Sequence, residues 1–445
     1  MILSTLALLL FAGIEGAWEG KLTTPGGDLR LALVITKTPD GAYDGKMDSL
    51  DQGAFGLPLQ EIKLDGKKVS FLLKMVNGSY EGTLNDSGTE ISGQWKQGGI
   101  ELPLVLKRVE KVEHPKRPQE PVAPYPYSAT DVTVDNTGAN VKLACTLTAP
   151  PSAGPHPAVV LITGSGPQDR DESLMGHKPF LILSDHLTRK GIAALRCDDR
   201  GIGKSTGDFA AATTADFSTD TVAEVEFLKT RKEIDAKRIG LIGHSEGALI
   251  APMVANRNPS IAFIVLMAGP AVPGDQIILE QMKAIVQASG APAAVLEPQI
   301  AMEKKVFEIL RSEPNNEAAA KKLEEALPPG AAKEQAKRAT SAWFRYFIDY
   351  DPAPALQKLK VPVLALFGEK DLQVLPAQNL APMEAAFKKS GNPKTTVKVL
   401  PGLNHLFQPA KTGSPSEYGK TEETMAPLAL DTISGWIRTQ TGLEK

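Results

Sequence analysis

The chain reads as an α/β domain with a mainly parallel sheet, preceded by a small all-β domain, and three observations predict this. Residues 17–110 alternate apolar and polar side chains with period two, residues 111–127 are rich in proline and charge, and residues 128–445 switch to strands separated by helical segments. At 445 residues the chain also exceeds what one hydrophobic core usually supports, so two domains are expected on size alone.

The alternation in the first part runs through Leu29, Leu31, Leu33 and Ile35, then Val69, Phe71, Leu73 and Met75, then Leu102, Leu104 and Leu106. Period two is the mark of half-buried strands. Turn residues at Pro39-Asp-Gly41, Asp65-Gly66, Asn77-Gly78 and Asp86-Ser-Gly88 separate the runs at hairpin spacing, which predicts an antiparallel barrel or sandwich. Trp18, Tyr80 and Trp95 read as core or rim aromatics rather than ligand platforms. The proline-rich residues 111–127 are expected to be an extended, semi-rigid linker.

Beyond the linker, strands are predicted at residues 141–147, 158–163, 192–197, 238–242, 261–267, 361–367 and 395–400. Helices are predicted at 179–190, 223–232, 245–256, 377–389 and 422–439. Such alternation implies helices on both faces of a parallel sheet, with ligands at the carboxyl ends of the strands. Between about residues 271 and 355 the alternation stops and the chain becomes helical, as an inserted cap would.

A formal charge of -3, with no basic excess, argues against a nucleic acid held through its phosphates and gives no attraction to an anionic membrane surface. Residues 1–12 form an apolar run of signal-peptide length, too short to span a bilayer, with cleavage expected near Gly16. Export to the periplasm or beyond is the expectation, although no Lys or Arg precedes Lys21. No integral membrane span is expected once the signal is removed. Cys145 and Cys197 are too few for a disulfide scaffold or a zinc site. They read as small core residues, and an exported location leaves a single bridge between them open.

Gly243-His244-Ser245-Glu246-Gly247 lies between an apolar strand-like run and a helix-compatible run of small residues. Strand, sharp turn and helix in that order make a Gly-x-Ser-x-Gly segment a nucleophile elbow, with Ser245 as nucleophile and the Glu246 amide as an oxyanion donor. A serine hydroxyl needs a base, and the base needs a third group to orient it. Among six histidines, His405 stands in the loop after the last predicted strand, while His244 adjoins Ser245 and is expected to point elsewhere. Asp371 follows the strand ending near Leu366, with Glu369 as its competitor. Ser165, in Gly164-Ser-Gly-Pro-Gln-Asp-Arg-Asp171, is the expected second oxyanion amide. The order Ser245, Asp371, His405 is that of an α/β-hydrolase. Asp198-Asp-Arg-Gly-Ile-Gly-Lys-Ser205 lacks phosphate-loop spacing; Asp199 and Arg200 are expected to brace that loop beneath the site. This chemistry asks for no metal or organic cofactor.

With those residues in view, residues 128–445 resemble bacterial serine esterases of the α/β-hydrolase superfamily, in a group carrying the Gly-Ser-Gly-Pro-Gln-Asp-Arg-Asp, Asp-Asp-Arg-Gly-Ile-Gly and Gly-His-Ser-Glu-Gly motifs. Ser341-Ala-Trp-Phe-Arg-Tyr-Phe347, Gly368-Glu-Lys-Asp-Leu-Gln-Val374 and Leu403-Asn-His-Leu-Phe-Gln408 are similar to that group as well. The resemblance implies Ser245, Asp371 and His405 as triad and a small-molecule ester as substrate. Some members carry a small β domain in front, which residues 17–110 resemble, including Met47-Asp-Ser-Leu-Asp-Gln-Gly53. Cys145 stands where the group is expected to have glycine. The same triad would serve a peptidase or amidase, and a non-catalytic envelope binding protein is the third reading. Trp343, Phe344 and Phe347 are pocket candidates in the cap, although their helical spacing suits a core equally.

Overall fold

The computed structural model describes residues 13–24, 27–328 and 332–443. The apolar run expected to be a signal, residues 1–12, lies outside them. The chain divides into two compact units, residues 1–116 with 174–176, and residues 117–173 with 177–445.

The first unit holds nine strands: β1 (Gly16–Thr24), β2 (Gly27–Lys37), β3 (Tyr43–Ser49), β4 (Ala54–Pro58), β5 (Gln60–Asp65), β6 (Lys68–Leu73), β7 (Gly78–Leu84), β8 (Glu90–Gln97) and β9 (Ile100–Val109). They pair antiparallel in the order β4-β3-β2-β1-β9-β8-β7-β6-β5. The two edge strands follow one another in the chain through Leu59, so the sheet curls until it is nearly closed, which shortens the exposed edges. One side chain in two points inward, and Trp18, Leu33, Phe71, Tyr80, Ile91, Leu104 and Leu106 are almost wholly buried. Phe71 and Tyr80 stack with centroids 5.0 Å apart. The Trp18 indole donates to the Ile14 carbonyl (2.9 Å), so the packed unit begins before Gly16. Trp18, Tyr80 and Trp95 therefore fill the interior. Met75, expected to continue a strand, is exposed because a short 3-10 turn at Lys74–Val76 ends the alternation.

The second unit opens with a segment that is more anchored than its proline content predicts. Gln119 accepts from the Thr424 and Met425 amides (2.6 and 3.0 Å), and Arg117 donates to the carbonyls of Gly419 and Thr421, so residues 117–127 are tied down rather than free to act as a spacer. The strands that follow are β10 (Ser128–Asn136), β11 (Val141–Ala149), β12 (His156–Ile162), β13 (Ala193–Cys197), β14 (Ile234–His244), β15 (Ile261–Met267), β16 (Val363–Gly368) and β17 (Thr395–Leu400). Their order is β10-β11-β13-β12-β14-β15-β16-β17, antiparallel at β10-β11 and β11-β13 and parallel thereafter. This is an α/β-hydrolase sheet, and its central strands are apolar throughout because helices cover them.

The helices are α1 (Pro179–Arg189), α2 (Thr214–Lys229), α3 (Gly247–Ala255), α4 (Gly274–Ala288), α5 (Ala293–Ser312), α6 (Asn316–Ala326), α7 (Ala332–Ala339), α8 (Ala342–Asp349), α9 (Ala353–Leu356), α10 (Pro376–Ser390) and α11 (Pro427–Thr441). α2 begins nine residues before the predicted start at 223, because Thr213 and Asp216 close a capping box that holds a Thr- and Asp-rich first half in the helix. α11 starts at Pro427, where the ring presets the first helical residue. Residues Gly247 to Val254 of α3 are all buried, as expected of a short helix that is apolar all round. Helices α5 to α8 of the inserted cap gather their own core around Phe307, Leu310, Leu323, Phe344 and Ile348.

Cys145 and Cys197, directly opposed on β11 and β13, form a disulfide with Cα atoms 4.0 Å apart. The glycine expected at 145 is thus replaced by half of a bridge between neighbouring strands. The bridge spans 52 residues of sequence, so its loss should cost about 2–4 kcal/mol through the freedom regained by the unfolded chain. Urea unfolding of the Cys145→Ala, Cys197→Ala double variant checks this; a midpoint equal to that of the oxidised parent would contradict it.

Candidate active site

β14 ends at His244 and α3 begins at Gly247, so Ser245 occupies the turn between them. Its φ of +53° is a left-handed conformation that costs about 1–3 kcal/mol for a residue with a side chain, and the surroundings must hold it there. The Ser245 amide donates to the Met267 carbonyl at the end of β15 (2.8 Å). Gly247 passes β12 so closely that a Cβ would lie 2.1 Å from the Ile162 oxygen, and a Cβ on Gly243 would lie 2.1 Å from the Gly247 oxygen. Only hydrogen fits at either position. The turn therefore lifts Ser245 clear of the sheet, where it stays half-buried.

His405 and Asp371 come from the loops after β17 and β16. Gly368, the last residue of β16, lets the loops close: a Cβ there would meet the Asn404 and Leu403 oxygens at 2.4 and 2.5 Å. Asp371 Oδ2 accepts a hydrogen bond from His405 Nδ1 at 2.8 Å, and its Oδ1 accepts from the Gln373 and Val374 amides at 2.8 and 2.9 Å. With Nδ1 donating to the carboxylate, Nε2 is left as the basic nitrogen. Both side chains are buried, His405 at 4% and Asp371 at 2% exposure, so the pair is sheltered from screening by water. Glu369, the competing acid, is exposed and accepts instead from the Gly402 amide (2.7 Å). No hydrogen bond joins His405 to Ser245 among the described residues. Their loops are fastened one residue away, where the His244 ring bonds the His405 carbonyl (3.0 Å).

Ser165 and Glu246 lie with Ser245 on one cavity of about 580 Å³. Neither the Ser165 nor the Glu246 backbone N–H donates to a protein acceptor among the described residues, and the Glu246 amide stands at the amino end of α3. The cavity runs under the cap between Ile277, Met282, Ile285, Phe344, Phe347 and Val374, with Glu303 and Arg338 among its few charged lining residues. Trp343 stacks on Phe347 at 5.0 Å, and both line the cavity.

The loop that carries Ser165 is held by the two acidic residues after β13. Asp199 accepts from the Thr163 hydroxyl (2.8 Å) and the Gln168 amide (2.9 Å), while Asp198 takes both Nε and Nη2 of Arg170 (3.0 and 2.9 Å). Burial pushes the Asp199 carboxyl up to about 7 against these hydrogen bonds. Arg200 turns the other way, to Asp220 on α2 (2.7 Å), so it braces the helix rather than Asp199. The side chain of Glu246 binds the Thr214 hydroxyl (2.6 Å) and the Trp343 indole (2.7 Å), and burial raises its pKa despite both bonds. One residue of the elbow thus ties α2 to the cap. Sequence reasoning missed this tie, and it missed Glu172, which accepts from both the Gly164 amide (2.7 Å) and His244 Nδ1 (2.9 Å). The chain marks neither contact by spacing; Glu172 is simply the residue after the Gln-Asp-Arg-Asp motif.

Residues 180–408 match the family described as serine aminopeptidase, S33. The chain belongs to this family. Over 380 residues, 84% of this chain and 83% of the relative, it is 29% identical to Esterase EstD of Thermotoga maritima. Among solved structures it is similar to the Pyrococcus furiosus esterase Pf2001, at 18% identity over 70% of this chain and 93% of that one, with a TM-score of 0.43. Est1E from Butyrivibrio proteoclasticus, with ferulic acid bound, is similar at 17% identity over 70% and 98% of the two chains, with a TM-score of 0.41. The elbow leaves no room for a side chain at Gly247. Gly247→Ala should cost about 3 kcal/mol or more, since a backbone oxygen blocks the added methyl. Chemical denaturation of the purified variant tests this; parental stability would show that the close approach is absent.

Proposed function

We propose that the protein is a carboxylesterase-type hydrolase that cleaves small-molecule esters through an acyl-enzyme on Ser245. The observation that carries the reading is the buried His405–Asp371 hydrogen bond, presented on loops next to a strained, cavity-facing serine. His405 Nε2 takes the Ser245 proton as the hydroxyl attacks the ester carbonyl, and Asp371 stabilises the imidazolium that results. The Glu246 and Ser165 amides receive the charge that develops on the carbonyl oxygen. His405 then protonates the departing alcohol, and a water activated by the same nitrogen releases the acid.

The apolar cavity walls suit the acyl group, and the relative matched over most of its length is named an esterase. A second reading, peptidase or amidase activity through the same triad, is favoured by the description of the family. Amide and ester cleavage pass through the same tetrahedral geometry, so the leaving group decides between them. We further propose that the protein is exported, a reading supported by the Cys145–Cys197 disulfide, since such bridges persist in oxidising compartments.

Ser245→Ala should lower kcat/KM for p-nitrophenyl butyrate by about 10³-fold or more, and Asp371→Asn by a comparable factor with little change in KM. An esterase turns over the butyrate ester far faster than an aminoacyl p-nitroanilide assayed beside it. Equal hydrolysis by Ser245→Ala would remove the reading, and preference for the anilide would replace it with the peptidase.

A further inference from the structure

His244 is buried at 5% exposure, directly before the nucleophile, and both of its ring nitrogens are engaged. Nε2 lies 3.0 Å from the His405 carbonyl oxygen, which can only accept. Nδ1 lies 2.9 Å from Glu172 Oε1, and that same oxygen already accepts the Gly164 amide at 2.7 Å. With Glu172 ionised both partners are acceptors, which places an N–H on each ring nitrogen and makes the ring an imidazolium paired with the Glu172 carboxylate. Burial disfavours that charge, but Glu172 outweighs it, helped by the His405 carbonyl and Asp371, and the His244 pKa is raised.

Three loops meet at this pair. Glu172 holds Gly164, the neighbour of Ser165; His244 adjoins Ser245; and the His405 carbonyl belongs to the proposed base. The His244 and His405 rings are 4.8 Å apart between centroids, with Phe407 at 6.4 Å on another side. The titratable groups facing His244 are therefore Glu172 on its Nδ1 side and His405 on its Nε2 side, with Asp371 beyond, bonded to His405.

We propose that His244 and Glu172 are a positioning pair for the hydrolytic site, an internal ion pair that sets the base loop and the oxyanion loop on either side of Ser245. The proposal rests on the acyl-enzyme reading above. One consequence separates it from a merely structural role. Removing the pair misplaces His405 and Ser165 relative to the reacting carbonyl, which lowers kcat while leaving substrate binding in the cavity nearly unchanged.

The test uses the full-length protein with p-nitrophenyl butyrate and the variants His244→Gln, Glu172→Gln and both together. Each single variant should lose about 10- to 100-fold in kcat with KM changed less than about 3-fold. The double variant should lose little more than either single one, because the two residues act as a unit. Folded variants with parental kcat, or with losses that multiply, overturn the proposal. Should the variants not fold, nitrogen-15 NMR of the histidine-labelled parent decides: His244 with both ring nitrogens protonated at pH 7 supports the pair, and a neutral ring at that pH overturns it. Because the NMR readout needs no turnover, failure of the esterase reading in the parent is distinguishable from failure of the pair.

Discussion

The backbone of Gly247 running past the carbonyl of Ile162 is the contact on which the site depends. That approach exists because β12 and β14 are adjacent parallel strands whose carboxyl ends lie side by side, leaving α3 no way to begin except across β12. It forces Ser245 into a left-handed conformation, and the Met267 carbonyl and the small residues of α3 hold it there. Strain of this kind persists only where packing over-determines it, and α3 is buried along nearly its whole length. The nucleophile's exposure, the placement of the Glu246 amide and the mouth of the cavity all follow from one turn.

Around that turn the protein uses buried polar groups to fix loops that the sheet alone leaves loose. Asp371 is held by two amides before it meets His405, Asp199 by a hydroxyl and an amide, and Glu246 by Thr214 and Trp343. Each carboxyl group therefore arrives at its partner with its geometry already set, which lowers the cost of reorganisation at the site. The Trp343 contact carries this order into the cap, so the wall of the cavity is fastened to Glu246, the residue next to Ser245.

How much of this the chain discloses differs by level. Strand periodicity in residues 29–35 and 69–73 and the apolar runs of the parallel strands are readable, because burial imposes them residue by residue. The first half of α2 is not, since Thr and Asp residues look like a loop until the Thr213–Asp216 capping box is noticed. Ser245, Asp371 and His405 stand out because each follows a strand in the order the chemistry needs, and the last two meet in space. Glu172 and the indole of Trp343 do not stand out: their partners lie 72 and 97 residues away, and only the fold brings them together. His244 illustrates the limit, for its neighbour in sequence is legible while the carboxylate and carbonyl that fix its charge are not.

On the proposed reading, Ser245 Oγ is the atom on which substrate becomes covalent. Incubation of the full-length protein with a fluorophosphonate, followed by peptide mass spectrometry, measures this directly. One adduct per chain is expected, on the peptide containing Ser245. An adduct on another residue, or an active protein left unlabelled at neutral pH, would contradict it.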